Sequence, residues 1–358
     1  MEDFVGEKTE KKWIDTISEK LKSYILCVFC SFCFAGFNII SKVSLDKGMS
    51  LYVLVAYAYV FGTVTTAILA LLFERNNESK ISLPICIQIF FLGLLGVLAR
   101  IFYYAGLECT SSTFAGAMLN LIPSVTFILA ILCRMEKLNL KEVSGQAKVG
   151  GTIVAFGGAT VMTLYKGITV ISGHNNHHPA SSKQVLDGNL IKGSLFLLLQ
   201  SFFYASSYVL QASTIKKYPA PIALTTLTCL SGIPIATSIA AILDHKPSSW
   251  KLSFDITLVA PIYCGIMVYG ITTYINTVVM RTKGPVFVTA FFPLITVIVA
   301  IMGLLILNEA LHLGGIIGAV LIIIGLYAML WGQEYEKKRR ILEPPICDEA
   351  IQVKSQKK

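Results

Sequence analysis

The chain has 358 residues, of which 54% are hydrophobic and only 14% charged, with a mean hydropathy of +0.68 and a net charge of +9. Soluble domains carry about a quarter charged residues, so the composition excludes a soluble globular protein and points to one embedded in a bilayer. The excess Lys and Arg sit in short segments between apolar runs, a membrane-topology pattern that argues against a nucleic-acid partner.

In chain order, residues 1–22 form a charged segment predicted to be cytosolic. The apolar run that follows begins at Ser23. It is too long for a cleaved leader core of about 7–15 residues, so it is expected to remain as a span. Ten runs of about 20 residues are each long enough to cross a hydrocarbon core as helix. They cover approximately 23–45, 51–73, 84–107, 114–134, 147–165, 191–213, 221–243, 256–279, 285–307 and 314–332. The expected organisation is a five-span unit over 23–165, a non-cytosolic Ser-, Asn- and Gly-rich linker over 166–190, a second five-span unit over 191–332 and a disordered cytosolic tail over 333–358.

Polar side chains inside spans are costly and mark function by default. Span 1 carries Asn38, span 3 Arg100 and Tyr104, span 4 Asn120, span 6 Tyr208 and Gln211, and span 8 Thr273, Tyr274 and Asn276. These nine are predicted to line a small-molecule site near the midplane, with interhelical hydrogen bonding as the competing role. Arg100 lies about seven residues from the outer end of span 3, roughly 10 Å deep at 1.5 Å per residue. Its guanidinium is suited to gripping a carboxylate; snorkelling to headgroups or pairing with Glu108 are the alternatives. Pro123 and Pro293 each remove a backbone hydrogen bond within a span and are read as hinges. Glu136 and Glu309, at the ends of spans 4 and 9, are read as gating or coupling groups, or as plain interfacial charges. Spans 5 and 10 carry Gly151 and Gly158, Gly318 and Gly325, a stripe suited to close packing or to a homodimer face.

The chain also repeats itself. A shift of 170 positions places Ser31 on Ser201, Gly62 on Gly232, Tyr104 on Tyr274, Pro123 on Pro293 and Thr126 on Thr296. Five spans per repeat make the second unit enter from the opposite side, the inverted geometry of alternating-access carriers. With the N-terminus in the cytosol, 22 Lys and Arg fall on that side against 7 on the other, so both termini are expected to be cytosolic.

Cys27, Cys30 and Cys33 are expected to pack one side of helix 1 rather than hold a metal, and His174, His177 and His178 fall in the linker. Asn77-Glu78-Ser79 matches a glycosylation pattern on the cytosolic side, where it goes unused. No nucleotide-binding loop, His-Glu-x-x-His helix, paired carboxylates or nucleophile with a base is present. An enzyme, a cofactor and direct drive by ATP are therefore not expected, and ten spans do not suit a seven-helix receptor.

Several stretches carry a family likeness. They are Asn38-Ile39-Ile40-Ser41-Lys42, then Thr113 to Pro123 followed by Arg134-Met135-Glu136, then Tyr218-Pro219-Ala220-Pro221 and Lys283-Gly284-Pro285. They resemble the plant nodulin-like EamA transporters, also called walls-are-thin-related or UMAMIT proteins, of the drug/metabolite transporter superfamily. The resemblance implies an all-α membrane fold of ten helices in two inverted EamA repeats, and movement of amino acids, with some members handling auxin or other metabolites. Arg100 departs from the uncharged polar residues usual at that place in the family, which favours an anionic cargo. The plasma membrane is expected ahead of the vacuolar membrane; proton coupling is left open.

Overall fold

The computed structural model describes residues 2–74, 82–133, 135, 139–165, 167, 169–171, 188–244, 246–252, 254–289, 291–307 and 311–342. The first repeat runs through α1 (Glu2–Asp46), α2 (Leu51–Phe73), α3 (Leu83–Cys109), α4 (Ser112–Met118), α5 (Leu121–Leu132) and α6 (Val143–Leu164). The second runs through α7 (Gly188–Lys217), α8 (Pro221–Leu243), α9 (Ile256–Tyr263), a π-helical segment (Cys264–Thr272), α10 (Thr273–Lys283), α11 (Pro285–Thr289), α12 (Phe292–Ile306) and α13 (Leu313–Leu342). Among the described residues, nine helical stretches are long and apolar enough to cross a membrane. The glycine-rich α6 occupies the fifth place, so the all-α fold has ten helical positions. A short antiparallel ribbon of β1 (Thr169–Ile171) and β2 (Leu311–His312) links the end of α6 to the start of α13.

Three spans depart from a simple rod. Span 4 is broken between α4 and α5, and span 9 between α11 and α12, at positions related by the repeat. The hinge prolines therefore do not kink a continuous helix. Pro123 and Pro293 each stand in the first turn of the second segment, where a missing N–H costs nothing. Span 8 widens into the π-helical segment three residues after Pro261, which cannot donate to the ladder. A further departure concerns the tail: α13 continues ten residues past the expected end at 332. Its extension is held by Trp331 stacking on Tyr335 at 5.4 Å, by Glu336 pairing with Lys148, and by Arg339 contacting Glu142 at 3.4 Å. The predicted sites at Glu136, Glu309, Asn77 and His174 to His178 lie outside the described residues, as does Cys347.

The glycine stripes of α6 and α13 face each other inside one chain. A Cβ built on Gly158 would lie 2.8 Å from the Gly318 carbonyl oxygen, and Gly151 and Gly325 collide reciprocally through their carbonyls. This corrects the homodimer expectation for that stripe, because its small-residue faces are already occupied by one another. At the end of the same helix pair, Lys148 is almost fully buried against Glu336. Removing one member of a buried pair strands the other charge, at about 3–5 kcal/mol. Lys148→Met should lower the melting temperature in detergent, and Lys148→Met with Glu336→Leu should recover most of it.

Helices α2 and α8 are fastened at both ends. The Glu74 carboxylate, just past α2, accepts from the backbone N–H groups of Ile222 (3.1 Å) and Ala223 (2.8 Å) at the start of α8. A carboxylate there meets the positive end of the helix dipole. Its repeat counterpart is Asp244, just past α8. Hydrogen bonds from the Ser50 hydroxyl before α2, and then from Ser249 and the Lys246 N–H, hold the Asp244 carboxyl below the usual carboxylate range. The two acids tie the same helices at opposite faces.

Candidate functional site

The centre of the bundle holds a cavity between α1, α3, α7 and the broken spans 4 and 9. Its free space of about 20 Å³ is room for a single water, so the site is closed. Phe34, Phe37, Tyr103, Tyr204 and Phe292 supply aromatic walls, while Gln200 and Arg100 supply the polar ones. A smaller space of about 10 Å³ lies beside it, bordered by Cys27, Cys30, Ser31, Asn276 and Phe291. Phe34, Phe292 and Ile295 border both. The rings of Phe34 and Phe292 meet edge-on at 6.2 Å and form the partition.

Arg100 is 9% exposed, deep in α3. Its guanidinium carbon lies 3.5 Å from the centroid of the Tyr269 ring and 5.9 Å from that of Tyr59. Such stacking attracts a cation to the ring's negative face. No Asp or Glu among the described residues forms an ion pair with it, and its Nε has no hydrogen-bond partner there. The snorkelling and Glu108 alternatives are thus not what the fold adopts. The π-helical segment positions this arrangement. It carries Tyr269 against Tyr59 of α2, with ring centroids 4.8 Å apart. Close approach of α2 to that segment depends on glycine: a Cβ on Gly265 would lie 2.6 Å from the Ala58 carbonyl oxygen.

The other predicted site residues divide. Asn38 is fully buried, and neither end of its amide has a hydrogen-bond partner among the described residues. It faces Gly116 of α4. Asn120, at the break in span 4, donates to Thr296 at 2.7 Å, and Thr296 donates to the Gly116 carbonyl at 2.9 Å. Gln211 donates to Thr277 at 2.5 Å, and Asn276 donates to the Tyr208 hydroxyl at 3.2 Å. Tyr104 points its hydroxyl at Cys264 Sγ, 3.6 Å away. Thr273 bonds the Val268 carbonyl of its own helix at 2.9 Å, and Tyr274 packs on the core. Of the nine, only Arg100 borders the central cavity and only Asn276 the smaller one. Phe34, Phe37 and Phe292 were not among the predicted residues, because within an apolar span a phenylalanine carries no signal of its own, whereas Tyr103, Tyr204 and Gln200 already stand out in the sequence as polar groups inside spans. Tyr59 and Tyr269 were not among them either, since nothing in the sequence sets them apart from the other tyrosines.

Comparison with known proteins agrees with this architecture. The model of a family described as "EamA-like transporter family" matches residues 21–164 and 191–331. Three WAT1-related proteins of Arabidopsis thaliana are 45%, 43% and 44% identical to the chain over 334, 319 and 321 residues. The alignments cover 90%, 89% and 89% of this chain and 83%, 84% and 81% of theirs. One solved crystal structure shares the fold with a TM-score of 0.56 at 16% identity, over 84% of this chain and 98% of its own.

Proposed function

The chain belongs to the EamA-like transporter family, among the plant WAT1-related proteins, and from that premise we propose that it carries small organic carboxylates across the membrane by alternating access. The observation that carries this reading is Arg100, a buried cation without an ionic partner among the described residues, at the wall of the central cavity. A charge inside a membrane protein is kept where it meets a partner or a substrate. A carboxylate placed against the guanidinium would accept two parallel N–H bonds.

Amino acids and organic acid anions such as auxin share that group. The described residues around the cavity include one cation, several rings and no acid. An amino acid's ammonium would meet ring faces and the Gln200 amide oxygen but no carboxylate, whereas an aromatic or apolar acid anion pairs its charge with Arg100 and its apolar body with the rings. The geometry therefore supports the organic anion best, with amino-acid carriage as the second reading. The charge bias of 22 Lys and Arg to 7 supports cytosolic termini, and the plasma membrane is the location proposed with this reading.

Counterflow in proteoliposomes tests both cargoes: vesicles loaded with indole-3-acetic acid or with glutamine are offered the labelled compound. Saturable exchange of the indole acid alone is expected. Exchange of glutamine alone would replace the anion reading by the amino-acid one. The Asn120 to Thr296 bond joins the two repeats at the breaks. Asn120→Leu should therefore slow exchange about tenfold, the worth of one buried hydrogen bond.

A further inference from the structure

The repeat shift of 170 positions gives every residue around the smaller space a counterpart in the other repeat. Cys27, Cys30 and Ser31 of α1 correspond to Leu197, Gln200 and Ser201 of α7. Asn276 of α10 corresponds to Gly106 of α3, and Phe291 to Leu121. Around the first set there is free space. At the counterpart position, α3 and α7 are zipped shut. A Cβ on Gly106 would lie 2.6 Å from Leu197 Cγ, and one on Gly193 would lie 2.9 Å from Cys109 Cβ. Both sets are buried, Cys27, Cys30, Ser31 and Asn276 at 1–4% exposure and Leu197, Ser201, Met118 and Leu121 at 0%, so the difference lies in the free space and the close helix approach, not in exposure.

An inverted repeat exchanges the conformations of its halves during transport. The asymmetry therefore identifies the conformation. The helix pair α3 and α7 packs glycine against side chain on one face, whereas a space of about 10 Å³ remains between α1 and α10 on the face that carries the N-terminal end of the α1 span. Two aromatic layers stand on that looser side. Phe34 and Phe292 separate the two spaces. Further out, Tyr24, Phe287 and Phe291 close on one another at 5.3, 5.8 and 5.5 Å. Their counterparts Ser194, Ala117 and Leu121 are not aromatic, so this stack belongs to one face alone.

We infer that the smaller space is the vestibule of the transport route on the N-terminal face, that Phe34 and Phe292 form its inner gate, and that Tyr24, Phe287 and Phe291 form its outer gate. The inference rests on the carrier reading above but not on the identity of the cargo. Opening these rings joins the Cys27 and Cys30 vestibule to the Arg100 cavity. Closing α1 on α10 while parting α3 from α7 at Gly106 and Gly193 produces the opposite state.

Native thiols make this testable without substrate. The full chain in proteoliposomes is treated with a small methanethiosulfonate reagent, and labelling of each cysteine is followed by peptide mapping. Cys27 and Cys30 are expected to react at least tenfold faster than a cysteine placed at the counterpart of Cys27 by Leu197→Cys. Phe291→Ala should speed Cys30 labelling further. Phe34→Ala should speed labelling of an Ala99→Cys variant, which reports on the central cavity. Equal or faster labelling in Leu197→Cys would overturn the assignment of the open side. An Ala99→Cys rate indifferent to Phe34→Ala would overturn the inner gate. Circular dichroism and gel filtration of each variant separate a gate effect from unfolding. Because no cargo is present, failure of both counterflow substrates would count against the carboxylate reading and leave the labelling result standing.

Discussion

Arg100→Met is expected to lower counterflow of carboxylates about 100-fold while leaving the melting temperature unchanged or raising it. Truncating one partner of a desolvated charge pair costs about 2–5 kcal/mol of binding, which covers that loss. Stability should move the other way. Without a substrate, Arg100 is a desolvated cation held by ring faces, with its Nε unbonded among the described residues. Replacing a buried charge by an apolar group of similar volume is often neutral or stabilising by about 1–4 kcal/mol. Met keeps the length of the side chain and the contact with Tyr269. Arg100→Lys keeps the charge but loses the planar fork, and should recover only part of the transport. Counterflow and a thermal melt of the same preparations check this pair. A melt lowered by several degrees with exchange intact would make Arg100 a strut between α3 and the π-helical segment instead.

The largest effect on stability is expected from Gly151→Val. Its β-carbon would collide with the Gly325 carbonyl and lie 2.7 Å from the Met329 amide nitrogen, so the backbones of α6 and α13 must separate. Overpacking costs about 1–3 kcal/mol and more where backbone is the obstacle. In a bilayer the close approach of helices is itself the source of their association. The variant should melt far below the parent or fail to elute as a single species. Gly157 on the same helix is the internal control, since nothing lies within 4 Å of the β-carbon it would gain. Gly157→Ala should be neutral, or more stable by up to about 1 kcal/mol from helix propensity. Equal damage from both substitutions would mean that the α6 and α13 contact is not the one that matters.

These expectations show what the sequence made visible. Span positions were legible because a bilayer demands long apolar helices, and the inverted arrangement because five matched spans repeat at a fixed offset. The broken spans were half legible. Pro123 and Pro293 announced an irregularity in equivalent places, yet a proline inside an apolar run reads equally as a kink or as the first turn of a new segment. The choice is made by packing around Gly116 and Thr296, far away in sequence. The π-helical segment left only Pro261 as a mark, and a proline inside a span does not tell a kink from a widened turn. Polar residues drew attention as ligands, but Gln211 bonds Thr277, Tyr104 points at Cys264 and Thr273 bonds a carbonyl of its own span, since buried polar groups in a bilayer need partners. The cavity itself is mostly aromatic, and which rings face inward depends on helix rotations that periodicity does not resolve in a chain apolar on nearly every side.

Glu74 and Asp244 set a mechanical limit on how such a chain moves. A pair of rods pinned at both ends cannot slip lengthwise, and it resists splaying more at its ends than at its middle. The assembly of α2 and α8 therefore acts as an axle, leaving rotation of the remaining helices about it as the soft degree of freedom. Spin labels on the two rods should hold one narrow distance distribution throughout the cycle, while labels on α1 and α10 broaden or split into two.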